Sequence, residues 1–279
     1  MDTLIESLHD QGLACRVVYW DDPNVDWTAF TLIVLRSPWS YVHRRGAFST
    51  WLKSQEVRDR VHNPPEPALW SLDKRYLLDL EQAGIGIVPT VIVPDRITHH
   101  GLRSLIDSTT FEADLVLKPS VGASSSHVRR FAATQTAELL EHHRRLQKTD
   151  GVTLLQGYLP SVDTHGEVDL VFFDGQFSHA IRKASLLHAD GRVDEPTMDK
   201  RATVAPSNSE IDTAAAAFDL VERRFSLDAP LLYGRVDLLR TDDPNHPLVL
   251  EMEICEPSLS LGFSTSGGKR FAACIAERL

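Results

Sequence analysis

Two apolar segments near the carboxyl end of the chain constrain the fold more than any other feature. Residues 232–239 and 248–254 have the composition of strands, and the polar segment TDDPNHP between them predicts a turn. Successive side chains of a strand point to opposite faces, so Glu251 and Glu253 share one face and Met252 points to the other. The two segments therefore predict an antiparallel hairpin with one apolar face and one acidic face.

The acidic face of this hairpin is a candidate metal site. If the strands pair across the turn, Asp237 joins Glu251 and Glu253, and Arg235 lies on the same face as Asp237. Three carboxylates without an imidazole or a thiol suit a hard cation such as Mg²⁺, which usually binds substrate phosphates as well. The alternative is a solvated sheet face, which the strongly apolar strands disfavour. We interpret Asp237, Glu251 and Glu253 as metal ligands.

A lysine ends another apolar segment and is followed by a loop of small residues. In LVLKPSVGASSSHVRR, residues 115–130, Lys118 closes a predicted strand, and the small side chains after it would let backbone N–H groups approach a phosphate. The loop is not a P-loop, because G-x-x-x-x-G-K-[ST] is absent. The alternatives are a solvated lysine and a disordered hinge. Lys74, at the front of a predicted helix, is either an exposed lysine or a second cation for the same polyphosphate.

The segment LLQGYLP is a candidate hinge beside a planar base. The side-chain amide of Gln156 can hydrogen-bond to such a base, and backbone groups of Gly157 and Leu159 lie next to it in the sequence. A plain strand end followed by a turn is the alternative interpretation.

The composition excludes several classes of protein. The chain has 279 residues, 42% of them hydrophobic and 24% charged, which is ordinary for a globular protein. A net charge of −10 argues against a nucleic-acid-binding protein. The three cysteines are far apart, so a disulfide framework and a zinc site are not expected, and a cytoplasmic location fits. No apolar run is long enough to span a membrane, and the first residues do not resemble a signal peptide. The oligomeric state is open, a homo-oligomer included.

The chain divides into three predicted regions, which are residues 1–62, 63–156 and 157–279. The first is an α/β lobe in which an amphipathic helix precedes two predicted strands, CRVVYW and FTLIVLR. Such a lobe usually opens on a strand, so a first strand is expected to be missing or to lie upstream. HNPPEPALW predicts a linker because of its prolines, and residues 71–83 predict a helix capped by Ser71. The rest of the chain mixes helices with antiparallel hairpins, one of them at the D-G turn of FFDGQF.

The motifs and their order resemble those of the ATP-grasp family. The resemblance covers residues 63–279, and each motif is weak by itself, whereas the full set in this order is fairly specific. The matching parts are a helix lysine (Lys74), a strand lysine (Lys118), a small-residue loop, a hinge (156–159), an acid after a glycine (Glu167), R-x-D (Arg235, Asp237) and E-x-E (Glu251, Glu253). The resemblance implies an α/β N-terminal lobe followed by α+β ATP-grasp lobes that clamp a nucleotide.

The resemblance also implies the roles of individual residues. Lys74 and Lys118 would bind the phosphates of ATP, the hinge would hold the adenine and Glu167 the ribose. Arg235, together with Lys118, would be catalytic by steadying the transferring phosphoryl group. The nucleotide-binding residues implied are Lys74, Lys118, Ser120, Gly122, Ser124, Ser125, Gln156, Gly157, Tyr158, Leu159 and Glu167. Two residues depart from the family pattern. The metal ligand Glu253 replaces an asparagine, and the hinge residue Gln156 replaces an acid.

The activity implied is ligation, with ATP and Mg²⁺ as cofactors. ATP would phosphorylate a carboxylate, and a nitrogen nucleophile would attack the acyl phosphate. Segments such as YWDDPNVDW and EPSLSL resemble a subgroup of small ATP-grasp ligases, the O-ureido-D-serine cyclo-ligases, which implies closure of a small amino acid into D-cycloserine. Arg36, Ser37 and Trp39 are the residues we expect to form the substrate wall, although Arg36 could instead form an ion pair at the surface. A two-substrate peptide-type ligase and a nucleotide-binding protein without turnover remain as alternatives.

Overall fold

The computed structural model describes residues 2–111, 114–123, 125–149, 151–195 and 197–279. Its N-terminal region contains helix α1 (Asp2–Asp10), helix α2 (Arg45–Leu52) and two very short parallel strands, β1 (Ile33–Val34) and β2 (Val61–His62). Aromatic rings packed edge to face contribute much of the core here, with Trp20 5.2 Å from Phe48 and Trp27 5.0 Å from Trp51, measured between ring centroids. Aromatic packing therefore replaces a larger sheet in this region.

Two strand predictions in this region are wrong in whole or in part. CRVVYW forms no strand, and FTLIVLR is a strand only at β1. The side chains of Val17 and Tyr19 are 66% and 80% exposed, so the alternation of this segment does not reflect burial in a sheet. Helix α1 is confirmed, but it packs against the C-terminal helix, because Leu4 and Leu8 belong to a core that includes Phe271.

The proline-rich segment is a helix rather than a linker. Helix α3 (Pro65–Ser71) begins at Pro65, where a proline costs nothing because the first N–H groups of a helix have no partner within it. The helix predicted over 71–83 is shortened to α4 (Tyr76–Gln82). Ser71 ends α3, and its hydroxyl donates to the carbonyl of Ala68 at 2.8 Å, so its predicted role as a cap is wrong. The predicted domain boundaries stay predictions.

A four-stranded antiparallel sheet forms the central region. Its strands are β3 (Thr90–Val93), β4 (Leu115–Pro119), β5 (Arg129–Phe131) and β6 (Thr153–Gly157), in the order β3-β6-β4-β5. Helices α5 (His99–Asp107) and α6 (Thr136–Thr149) pack on one of its faces. This sheet holds Lys118 near the end of β4 and Gln156 near the end of β6, on neighbouring strands.

A five-stranded antiparallel sheet forms the C-terminal region. Its strands are β7 (Glu167–Phe173), β8 (Gln176–Lys183), β9 (Arg201–Val204), β10 (Tyr233–Leu239) and β11 (Leu248–Glu253), in the order β11-β10-β7-β8-β9. The helices of this region are α7 (Ser161–His165), α8 (Asn208–Phe225) and α9 (Gly267–Ala276). The predicted α+β architecture, the D-G hairpin between β7 and β8 and the hairpin of β10 with β11 are all confirmed.

The two faces of the five-stranded sheet differ in what covers them. One face packs against α4 and α8 in the largest apolar core, to which Met252 contributes. The other face is divided along its strands: Val171, Phe173 and Tyr233 pack under α1 and α9, whereas Arg235 and Asp237, further along β10, line a cavity. One face of β10 therefore begins with an apolar side chain and ends with charged ones.

Candidate active site

A cavity of about 460 Å³ lies between the two sheets. The four-stranded sheet contributes Lys118 and the hinge to its wall, and the five-stranded sheet contributes the charged half of its open face. The predicted site residues that line it are Trp39, Lys74, Lys118, Gly122, Ser125, Gln156, Gly157, Tyr158, Leu159, Glu167, Arg235, Asp237, Glu251 and Glu253. The structure therefore brings together most of the residues that the motifs singled out.

The three predicted metal ligands converge because of the register of the hairpin. Asp237 is paired with Glu251, and Arg235 with Glu253, so all four side chains lie on one face. One carboxylate oxygen from each of Asp237, Glu251 and Glu253 lies within 4.8 Å of the others. An all-oxygen donor set of this kind fits a hard divalent cation such as Mg²⁺.

Arg235 neutralises part of this acidic face. Its Nε donates to Oδ1 of Asp237 and its Nη2 donates to Oε1 of Glu253, both at 2.6 Å. Although burial opposes ionisation, Arg235 and Lys183 hold the pKa of Asp237 well below its usual range. Burial raises the pKa of Glu253 to about 7, and the nearby carboxylates of Glu251 and Asp237 add to this rise. A divalent cation would relieve this repulsion, so the electrostatics also fit a metal.

The two predicted phosphate lysines have different surroundings. Lys74 is anchored, since its Nζ lies 2.9 Å from Oε1 of Glu251 and donates to the carbonyl of Gly122 at 2.8 Å. Lys118 is 5% exposed, and no hydrogen bond or ion pair joins its ammonium group to the residues that the structure describes. Burial lowers the pKa of Lys118 to about 8. The cavity therefore contains a cation that a bound anion would stabilise.

The small-residue loop lies beside these lysines. The backbone N–H of Lys74 donates to the carbonyl of Ser120 at 2.7 Å, which ties the start of the loop to the segment before α4. Gly122 and Ser125 line the cavity, and Ser125 has a φ of 54°. Ser120 is buried and is not among the described residues of the cavity wall. Ser124 lies outside the described residues.

The hinge residues are the last two residues of β6 and the two that follow it, and all four line the cavity. Nε2 of Gln156 donates to Oγ1 of Thr90 at 2.7 Å, which holds the buried amide in place. The guanidinium carbon of Arg130 lies 3.5 Å from the centroid of the Tyr158 ring, and the backbone N–H of Tyr158 donates to the carbonyl of Asp114 at 2.7 Å. These contacts fix the positions of Gln156 and Tyr158 in the wall of the cavity.

Lys183 and Asp169, which the motifs did not indicate, contribute to the acidic end of the cavity. Lys183 forms an ion pair with Glu167, and its Nζ lies 3.0 Å from Oδ1 of Asp169 and 3.4 Å from Oδ2 of Asp237. Glu167, Asp169 and Asp237 form a second group of carboxylates within 4.8 Å, and Lys183 supplies its counter-charge. The sequence did contain a signal for Lys183 and Asp169. Glu167 and Asp169 are two residues apart on β7 and so share one face, and Lys183 is paired with Glu167 across the D-G hairpin.

The predicted substrate wall is only partly at the cavity. Trp39 lines it and is 46% exposed. Arg36 and Ser37 are not among the described lining residues; Nη1 of Arg36 donates to the carbonyl of Pro257 at 2.9 Å, and Ser37 has a φ of 64°. The side chains that line this end instead are Tyr41, Arg201, Glu256 and Ser258. None of them was predicted as a site residue, although Glu256 and Ser258 belong to the segment EPSLSL on which the resemblance rests.

Comparison with known proteins identifies the family. The cycloserine biosynthesis protein DcsG of Streptomyces lavendulae is 39% identical over 280 residues, a match that covers 100% of this chain and 93% of that protein. The chain belongs to the DcsG family of ATP-grasp ligases. A family model described as the N-terminal domain of D-cycloserine synthetase DcsG matches residues 1–63. A crystal structure of D-cycloserine synthetase DcsG superposes with a TM-score of 0.94 at 39% identity, covering 100% of this chain and 94% of that one.

More distant solved structures share the fold. The ATP-grasp ligase PsnB, in complex with a precursor variant, Mg and ADP, has a TM-score of 0.68 at 18% identity and covers 100% of this chain and 94% of its own. A D-alanine–D-alanine ligase from Bacillus anthracis has a TM-score of 0.57 at 15% identity, covering 92% of this chain and 82% of its own. The predicted ATP-grasp fold and ligase class are therefore confirmed. In the part of the chain that the structure describes, no helix is long and apolar enough to cross a membrane.

Proposed function

We propose that the protein is a Mg-ATP-dependent cyclo-ligase that closes O-ureido-D-serine into D-cycloserine. The observation that carries the proposal is the cavity in which Lys118, Lys74 and the three-carboxylate face meet. Membership of the DcsG family supports the choice of substrate, because the relative from Streptomyces lavendulae is named for cycloserine biosynthesis.

The phosphates of ATP would lie between the lysines and the acidic face. The buried ammonium of Lys118 would gain its counter-charge from a phosphate oxygen, and Lys74 would link the small-residue loop to Glu251 on the metal face. Asp237, Glu251 and Glu253 would hold Mg²⁺, whose charge offsets that of the phosphate oxygens. The guanidinium of Arg235, fixed by two carboxylates, would face the transferring phosphoryl group.

The reaction has three balanced steps. An oxygen of the substrate carboxylate attacks the γ-phosphorus of ATP, and ADP leaves, which gives an acyl phosphate. The ureido nitrogen bonded to oxygen attacks the acyl carbon, inorganic phosphate leaves, and that nitrogen loses its proton as the five-membered ring closes. Water then adds to the carbamoyl carbon, the bond from that carbon to the ring nitrogen breaks, the ring nitrogen takes a proton, and the carbamoyl group leaves as carbamic acid, which breaks down to CO₂ and NH₃. Positioning and charge neutralisation are the contributions that phosphoryl transfer needs from a protein, and the cavity is lined by groups that provide both.

The test is ADP release from purified protein with Mg-ATP, with and without O-ureido-D-serine, followed by mass analysis of the product. We expect ADP to form only when the amino acid is present, with one D-cycloserine per ADP. A chain that binds ATP but releases no ADP with any amino acid would be a binding protein rather than a ligase. ADP release that requires a second amino acid, with a linear product, would favour a two-substrate ligase.

A further inference from the structure

Five acidic side chains line the described part of the cavity wall, and four of them have an ion-pair partner. The four pairs are Glu167 with Lys183, Asp237 with Arg235, Glu251 with Lys74, and Glu253 with Arg235. The fifth is Glu256, which is 6% exposed. No lysine, arginine or histidine of the described residues lies within ion-pair distance of its carboxylate.

The neighbours of Glu256 are neutral side chains, and the positive charge that acts on its carboxylate, Lys74, forms its ion pair with Glu251 instead. Against the effect of burial, the neighbouring hydroxyl of Tyr41 and thiol of Cys255 lower the pKa of Glu256, and so does the charge of Lys74, which lies beyond ion-pair distance; Tyr41 also lines the cavity. Burial has the largest effect, so the pKa of Glu256 is raised. A buried carboxylate without a cation is costly. A positively charged group bound in the cavity would remove this cost.

A cation without an anionic partner lines the same end of the cavity. Nη1 of Arg201 donates to Oγ of Ser260 at 3.1 Å and to Oγ of Ser258 at 3.4 Å, and both partners are neutral. Its Nε is buried and has no hydrogen-bond partner. No carboxylate of the described chain lies within ion-pair distance of Arg201. The guanidinium therefore has its charge and one donor free for a ligand.

Glu256 and Arg201, neither of which has an ion-pair partner among the described residues, lie next to the acidic face of the hairpin. Nη1 of Arg235 donates to the carbonyl of Ser258 at 3.1 Å, and Arg201 contacts the hydroxyl of the same serine. Glu256 precedes that serine by two residues. A zwitterion bound here would have its carboxylate near Arg235, where the phosphoryl group is transferred.

We propose that Glu256, held by Tyr41, binds the α-ammonium group of the amino-acid substrate while Arg201 faces its carboxylate. The inference rests on the proposed function, because it assigns the recognition of that substrate. It limits the substrate to amino acids with a free α-amino group, since an acylated or missing amine cannot supply a positive charge to Glu256.

The experiment compares O-ureido-D-serine with its analogue that lacks the α-amino group, at saturating Mg-ATP, in the wild type and in Glu256→Gln. Glutamine keeps the shape of the glutamate side chain, and its amide oxygen can still accept a hydrogen bond from Tyr41, but it carries no charge. We expect the KM of Glu256→Gln for the amino acid to rise roughly 10–100-fold, the range for a lost charge-assisted hydrogen bond. We expect the KM for ATP to stay within about twofold. The wild-type preference for the amino acid over its analogue should largely disappear.

Glu222→Gln is the matched control, because Oε1 of Glu222 accepts a backbone hydrogen bond from Leu231 and neither residue is among the described residues of the cavity wall. It should keep the wild-type KM and the wild-type preference. Nucleotide binding by Glu256→Gln, measured by calorimetry, shows whether that variant is folded. If it does not fold, Tyr41→Phe replaces it, with a smaller rise in KM expected.

The remaining outcomes show whether the inference fails alone or together with the proposed function. An unchanged KM and an unchanged preference in folded Glu256→Gln would overturn the inference and leave the ligase intact. Equal losses with both compounds would mean a structural role for Glu256, which also overturns it. If another amino acid replaces O-ureido-D-serine as substrate, the same comparison is made with that compound and its des-amino analogue. No ADP release by the wild type with any amino acid would overturn the function and the inference together.

Discussion

Replacing Lys118 by methionine should stabilise the fold and weaken nucleotide binding at the same time. Burial lowers the pKa of Lys118 from 10.5 to about 8, so holding the lysine charged in the folded, metal-free protein is unfavourable. At neutral pH this difference corresponds to a cost of about 3 kcal/mol in the free energy of unfolding. Methionine has a similar length and no charge, so we expect Lys118→Met to recover up to about that amount.

The pH dependence of this effect has a definite sign. Because the folded pKa is lowered, the cost is fully present below about pH 8 and disappears as the pH rises towards 10.5. Guanidinium denaturation of the wild type and Lys118→Met in EDTA, at pH 7 and pH 10, measures the difference. We expect the variant to be more stable by up to about 3 kcal/mol at pH 7 and the difference to fall below about 1 kcal/mol at pH 10. A variant that is less stable at pH 7 would refute the reasoning from burial.

Nucleotide affinity provides the second half of this test. A polyphosphate next to Lys118 favours the charged lysine, so ATP binding near pH 8 should take up about half a proton. Calorimetry in buffers of different ionisation enthalpy measures that uptake. In Lys118→Met we expect no such uptake and an ATP dissociation constant roughly 10–100-fold higher. An unchanged dissociation constant would remove Lys118 from the phosphate site.

Two further predictions concern the acidic face. Glu251→Gln should abolish ADP release, because it removes a metal ligand and the partner of Lys74, while its circular dichroism spectrum stays that of the wild type; a wild-type rate would contradict the metal assignment. Mg²⁺ binding should strengthen about tenfold per pH unit as the pH rises towards 7 and level off above 8, because Glu253, whose pKa is about 7, must lose its proton to bind the cation. Titrations of metal binding between pH 5.5 and 8.5 measure this, and they should show a flat profile over the same range in Glu253→Gln.

Local patterns predicted the elements that carry most of the candidate site. The alternation of residues 232–239 and 248–254 around a proline-containing turn was sufficient for the hairpin, because both its pairing and its two faces depend on neighbours along the chain. The positions of Lys118 and Gln156 at strand ends follow from the same kind of pattern. Where the pattern was misleading, as for CRVVYW, no neighbouring strand was present to make its alternation a buried one.

The amino-acid sequence by itself determined the apolar and acidic faces of the last hairpin, the lysine at the end of β4 and the family to which the chain belongs. Tertiary structure alone decided which charges are neutralised: Arg235 holds Asp237 and Glu253, Lys183 holds Glu167, and Glu256 and Arg201 have no charged partner among the described residues. The physical reason is that the side-chain period of a strand is local. The energy of a buried charge, in contrast, depends on its distance from every other charge, and most of those lie on distant parts of the chain.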